Sequence, residues 1–145
     1  MPASADALPL ASAGATRPWQ RLRQRAQFDA VLSQPPVAKT QHFALHAVHP
    51  AQTDAAPLFP GAGPWLGTLI PKRWAKRAVT RNALRRQIYA VSQHASAAWG
   101  DQAVVVRLRS GFAAQQFTSA TSDALKRAAR AELQRLFPGV QRERA

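Results

Sequence analysis

Changes in hydrophobic period divide the chain into segments. Between Trp19 and Leu32 the apolar residues Leu22, Ala26, Val31 and Leu32, with Phe28, fall at the spacing of a short helix, which Pro35 and Pro36 terminate. From His42 to Val48 the pattern alternates, with Phe43, Leu45 and Ala47 on one side and His42, His46 and Val48 on the other, as in a half-buried strand. The stretch from Pro50 to Pro64 carries four prolines and two glycines and predicts a loop. Trp65 to Ile70 is a short apolar run ended by Pro71, predicted as a strand that pairs with the first.

The segment from Arg77 to Ala98 contains neither proline nor glycine and places Leu84, Ile88, Val91, Ala95 and Ala98 along one side. It predicts the longest element of the molecule, about 33 Å at 1.5 Å per residue, stopped by Gly100. Ala103 to Leu108 holds Val104, Val105 and Val106 in succession, the mark of a strand buried on both faces. A final helix is expected to be capped by Thr118 or Ser119, to bury Leu125, Ala129, Leu133 and Leu136, and to end at Pro138-Gly139. The strand-helix-strand order around the long helix predicts a crossover packed across the sheet. These elements add up to an α+β fold, a small α/β sandwich with a mixed sheet and a long basic crossover helix. A chain of 145 residues is expected to form one core: 1–16 a disordered leader rich in Ala, Ser and Pro, 17–139 a single domain, and 140–145 a frayed tail.

Charge changes this picture through its location. Lys and Arg number 20 against 7 Asp and Glu, a formal charge of +13, and a polyanionic partner would neutralise the resulting self-repulsion. Lys72, Arg73, Lys76, Arg77, Arg81, Arg85 and Arg86 fall within fifteen residues, and no acid occurs between Asp54 and Asp101. Helix faces in water usually alternate in sign, whereas Arg77, Arg81 and Arg85 at i,i+4 spacing repel, each pair by roughly 0.2–0.5 kcal/mol. Their stripe runs beside that of Leu84, Ile88 and Val91, with Asn82 on the far flank, so one side anchors the helix while the arginines face outward. The planar guanidinium suits that duty, pairing two phosphate oxygens or stacking on a base. A solubilising face is the plainer reading of a basic run, but seven cations without one acid weigh against it. Trp74, just before the helix, is expected to pack against the sheet, with base stacking as the alternative.

Among polyanions, a membrane is disfavoured because the helix lacks the exposed aromatics and leucines of an interfacial helix. DNA is disfavoured because no helix-turn-helix or zinc-finger spacing occurs. Structured RNA remains. No apolar run has the length to span a bilayer and the N-terminus lacks the order of a secretory signal, so the cytoplasm is the expected location.

The segment Arg81-Asn82-Ala83-Leu84-Arg85-Arg86 resembles the Arg-Asn-x-x-Lys/Arg-Arg signature of the bacterial ribonuclease P protein family. Leu66-Gly67 with the strand leading to Lys72-Arg73 resembles the approach to that signature. Arg21-Leu22 with Phe28, His42 to Leu45, and Ala103 to Arg107 resemble the family's first helix, first strand and later strand, so the likeness runs from about Pro18 to Pro138. It implies an α/β sandwich with a left-handed βαβ crossover. It also implies an accessory subunit that, with a catalytic RNA, removes the 5′ leader from precursor tRNA. By position, Lys72, Arg73, Lys76, Arg77, Arg81, Asn82, Arg85 and Arg86 would contact the catalytic RNA. Phe28, Phe43 and Tyr89 would lie in or beside a cleft for the single-stranded leader. The chain departs from the family where Tyr89 replaces a usual arginine, where Leu32 replaces a frequent aromatic, and in the longer Pro50 to Pro64 linker. A ribosomal or ribosome-assembly protein would share the charge and the fold class, and is the rival reading.

The sequence offers the protein itself no hydrolytic chemistry. Without cysteine there is no thiolate nucleophile or thiolate metal site. The acids Asp6, Asp29, Asp54, Asp101, Asp123, Glu132 and Glu143 are scattered, with no cluster to hold a divalent metal. His42 and His46 are expected to share a strand face, in water or against RNA. No catalytic or metal-ligating residue is therefore expected, and Mg²⁺ would be held mainly by the RNA partner.

Overall fold

The computed structural model describes residues 19–93, 95, 99–112 and 123–144, with side chains as far as 137. The expected leader at 1–16 and the Thr118 or Ser119 cap lie outside the described residues. The elements are β1 (Gln20–Arg21), α1 (Arg25–Leu32), β2 (Ala38–Lys39), β3 (Phe43–Val48), β4 (Trp65–Leu69), α2 (Ala78–Ser92), β5 (Ala103–Leu108) and α3 (Asp123–Arg144). They form one five-stranded sheet in the order β1-β4-β5-β3-β2.

The valine strand lies at the centre, as its two-sided apolar character requires. β5 runs parallel to β4 and antiparallel to β3, with Val105 opposite Gly67 on one side and His46 on the other. β4, α2 and β5 thus form the expected crossover. The expected pairing of β4 with β3 does not occur, because the crossover returns the chain beside β4 and inserts β5 between them.

α1 is shorter than its periodicity suggests. Gln20 and Arg21 pair in parallel with Trp65 and Leu66 instead of entering the helix. The buried Gln27 side chain fixes the start, accepting from the N–H groups of Arg23 and Gln24 at 2.8 and 3.0 Å while donating to the Leu58 carbonyl at 2.8 Å. α2 likewise ends at Ser92, well before Gly100. Ser92 is fully buried, its hydroxyl donates to the Tyr89 carbonyl at 2.9 Å, and its own carbonyl accepts Trp19 Nε1–H at 2.8 Å. Beyond it Trp99 is buried in contact with Trp19 and Phe137, and Gly100, at φ 55°, makes the left-handed turn into β5. With 15 residues, α2 yields the place of longest helix to the 22-residue α3. α3 does not stop at Pro138-Gly139. A proline removes only its own N–H bond and kinks the helix, and the nearly complete burial of Leu136 and Phe137 just before it holds that turn in place.

Each sheet face carries its own core. On one, Leu45, Leu66, Val104, Val106 and Leu108 pack under α2 and α3 against Leu84, Ile88, Leu133 and Phe137. On the other, Val48, Trp65, Ala103 and Val105 pack under α1 and the proline-rich loop, with Leu22, Val31 and Phe59. β3 is therefore buried on both faces rather than half-buried. The loop holds two single 3₁₀ turns, Pro50–Gln52 and Ala56–Leu58, and its Phe59 meets Trp65 edge to face with ring centroids 5.4 Å apart. Gly67 seats α1, because a Cβ there would stand 2.6 Å from the Phe28 ring.

Candidate nucleic-acid interface

The basic segment forms a turn and the first half of α2. Pro71 starts it, and Trp74 N–H returns to the Pro71 carbonyl at 3.0 Å. Ala75 is buried and anchors the turn, while Lys72, Arg73, Lys76 and Arg77 are exposed. Arg77 is the N-cap residue, without a side-chain capping bond, and the first turn holds no acid. The N-terminal end of a helix already carries partial positive charge, so added cations make this end a strong attractor of anions.

The three arginines of the stripe differ in environment. Arg77 is exposed, but Arg81 and Arg85 are half-buried. Arg81 Nη1 donates to the Ala75 and Lys76 carbonyls at 3.0 and 2.8 Å, clamping the basic turn onto the helix. Arg85 Nε donates to Thr68 Oγ1 at 3.3 Å, tying the helix to β4, and its Nη1 donates to Asn82 Oδ1 at 2.8 Å. The expected repulsive ladder is thus eased by neutral oxygens, and Arg81 and Arg85 also preorganise the surface. Arg86 and Asn82 are exposed beside them.

Trp74 does not pack into the sheet as expected. It is 38% exposed, with the Arg73 guanidinium 5.3 Å from its ring centroid. Gly111 packs against its backbone, since a Cβ there would stand 2.9 Å from the Trp74 carbonyl oxygen.

The aromatic residues expected in one cleft separate. Phe43 is fully buried under α2 and α3, whereas Phe28 is half-buried on the opposite face. Alternation explains the separation: Phe43 shares its face with Leu45 and Ala47, and α1 covers the other set, Ala44, His46 and Val48. Tyr89 lies elsewhere again, half-buried on α2 with the Arg21 guanidinium 4.2 Å from its ring centroid. Arg21, Asn82, Arg85, Arg86, Tyr89 and Gln93 line a groove of about 390 Å³ between β1 and α2. The sequence places Arg21 in the first helix and not among the binding residues, because its partner strand, β4, is more than forty residues away.

The histidines also separate, and neither is solvated. His42 precedes β3 and turns toward α3, where its Nδ1 meets Glu132 Oε2 and its ring stacks on Phe112. Glu132 additionally accepts from Thr40 Oγ1 at 2.7 Å and from the His42 N–H at 2.9 Å. Burial pushes the Glu132 carboxyl up, but these bonds from Thr40 and His42 outweigh it and hold it below the ordinary value of 4.5. His46, 4% exposed, donates from Nδ1 to the Gln34 carbonyl at 2.9 Å and accepts from Arg107 Nε at 3.3 Å. Its burial, with the Arg107 charge, lowers its pKa against the opposing Gln34 bond. Among the described residues no three His, Asp or Glu side chains gather as a metal site, and no helix is long and apolar enough to cross a membrane.

Comparisons with known proteins agree with this geometry. The family model described as Ribonuclease P matches residues 17–134. The ribonuclease P protein component of Bordetella parapertussis is 38% identical over 122 residues, covering 84% of this chain and 92% of that protein. That of Ralstonia pickettii is 32% identical over 117 residues, 81% of this chain and 76% of its own. The solved structure of the Staphylococcus aureus RNase P protein superposes with a TM-score of 0.59 at 14% identity, covering 81% of this chain and 92% of that one, a likeness of fold. On sequence signature, fold and relatives together, the chain belongs to the ribonuclease P protein family.

Proposed function

We propose that the chain binds the catalytic RNA of ribonuclease P and the 5′ leader of precursor tRNA, and that the RNA performs the hydrolysis. The observation that carries this reading is the acid-free surface of the basic turn and α2, whose arginines are held by internal oxygens with Arg86, Lys72 and Arg73 exposed around them. Such a surface attracts phosphates and reduces repulsion between two RNAs. Mg²⁺ would be held mainly by phosphates of the RNA partner, which are the hard oxygen ligands this ion prefers.

Support for leader binding lies on the α1 face. Two residues along β4 from Gly67, where Phe28 sits, the cross-strand row Leu69, Arg107, Ala44 and Lys39 traverses the sheet. Directly paired residues share a face, so Arg107 and Lys39 place two cations on the same sheet face as the half-buried Phe28 ring. An aromatic on the face of a cationic track suits single-stranded RNA. Phe28 is retained as a leader contact, and Phe43, which is fully buried, is not.

Reconstitution tests the reading. The purified chain added to a bacterial ribonuclease P RNA at physiological salt should restore leader removal from precursor tRNA, and the chain alone should cleave nothing. Cleavage by the protein without RNA, or no effect on the RNA's activity, would overturn it.

A further inference from the structure

The geometry points to the groove between β1 and α2 as a binding site for one RNA phosphate, with Arg21 held in place by Tyr89 as its anchoring cation. The inference rests on the RNA-binding reading above and names an occupant for one part of that surface.

The groove presents an excess of donors. Arg21 and Arg86 contribute guanidinium groups and Tyr89 a phenol. Arg85 is already engaged, and its Nη1 donates to Asn82 Oδ1 at 2.8 Å. That bond uses the acceptor end of the Asn82 amide and leaves Nδ2, a donor, for a ligand. The Asn and the following basic residue of the signature thus work as a pair, the second orienting the first. Gln93 adds a second amide, and among the described residues no carboxylate lines the groove. A nucleobase edge offers donors and acceptors together, whereas a phosphodiester only accepts, so this lining selects phosphate.

Arg21 is prepared for that role from two directions. Its backbone is fixed by the parallel pairing with Leu66, reinforced by Leu22 N–H donating to the Leu66 carbonyl at 3.0 Å. Its guanidinium lies 4.2 Å from the Tyr89 ring centroid, where the ring face attracts a cation. A tyrosine therefore brings positive charge to this turn of α2 by capturing an arginine from a distant strand.

Binding of the full-length chain to a bacterial ribonuclease P RNA, measured across a salt series, tests the site. Arg21→Ala should weaken binding roughly tenfold at low salt and reduce the slope of log affinity against log salt by about 1, as for one lost phosphate contact. Tyr89→Phe keeps the ring face and loses only the phenol donor, so it should keep the parent salt slope and lower affinity less than Tyr89→Ala. Tyr89→Ala should lower affinity and slope although it removes no charge, and adding it to Arg21→Ala should change little more. Arg86→Ala reports on the broader reading. If Arg86→Ala weakens binding while Arg21→Ala leaves affinity and slope unchanged, the groove proposal is overturned and the RNA-binding surface stands. If neither variant changes binding, both fail.

Discussion

The two faces of the sheet differ in what covers them. The face under α2 and α3 is closed by two helices, and its central side chains, Leu45, Leu66, Val104 and Val106, have no exposure at all. The other is covered by the eight-residue α1 and by a loop whose regular structure is two 3₁₀ turns. It mixes apolar packing with polar groups, including the buried Gln27 and His46 and the half-buried Arg107. On the first face, burying each large apolar side chain contributes about 1.5–3 kcal/mol, whereas the second gives up part of that gain and leaves Phe28 and Arg107 half-buried.

The sharpest way to break this contrast is to exchange the fates of the two phenylalanines. Phe43→Ala should cost about 3–5 kcal/mol of stability, since it empties a site on the closed face. Its midpoint in urea should fall, while the ratio of affinities for precursor tRNA with and without leader stays the same. Phe28→Ala should cost less stability but collapse that ratio toward one. A Phe43 variant that loses leader discrimination while remaining folded would show that both faces take part in binding.

Two smaller effects probe how each cover is attached. Glu132→Ala removes the acceptor shared by Thr40 and His42, leaving half-buried donors unsatisfied, and should cost about 1–3 kcal/mol. Hydrogen exchange should then rise in α3 and in the 40–42 turn together. Gly67→Ala pushes a methyl group into the Phe28 ring and should cost about 1–3 kcal/mol through overpacking. Its exchange should rise in α1 while α2 stays protected. Exchange spreading across both helices in either variant would mean that the faces unfold as one unit.

Much of the closed face was legible in the sequence, because its elements announce themselves by period. The valine run of β5 and the Leu125, Ala129, Leu133 and Leu136 spacing of α3 lie where expected. The open face was harder to read. β1 and β2 are two residues each, too short to show any alternation, and exist only through partners elsewhere in the chain. Their absence from the local pattern hid Arg21 and the strand order. The basic surface was visible as a run of charge, but the inward bonds of Arg81 and Arg85 depend on carbonyl and hydroxyl oxygens that no helical projection contains. The side of Phe43 was hidden for a different reason: a strand buried on both faces does not mark which alternate set α2 and α3 cover.

The mildest test of the contrast is acid. On the open face His46 accepts from Arg107, so its Nε2 carries no proton in that bond, and burial opposes protonation. Its folded pKa lies below the ordinary 6.5, so between those values the unfolded chain binds more protons than the folded one. The stability from neutral His46 is therefore complete above about pH 6.5 and is lost as pH falls through the depressed folded value. Glu132 gives the same sign in a lower window, its contribution complete above 4.5 and lost below, as its carboxylate protonates. Urea midpoints measured downward from pH 7.5 should decline first through His46, and His46→Asn should flatten that first decline without affecting the second. The first protonation also removes the acceptor holding Arg107, so leader discrimination should weaken in the same window while affinity for the RNA subunit holds. If discrimination keeps its pH dependence in His46→Asn, Arg107 is positioned by something other than this histidine.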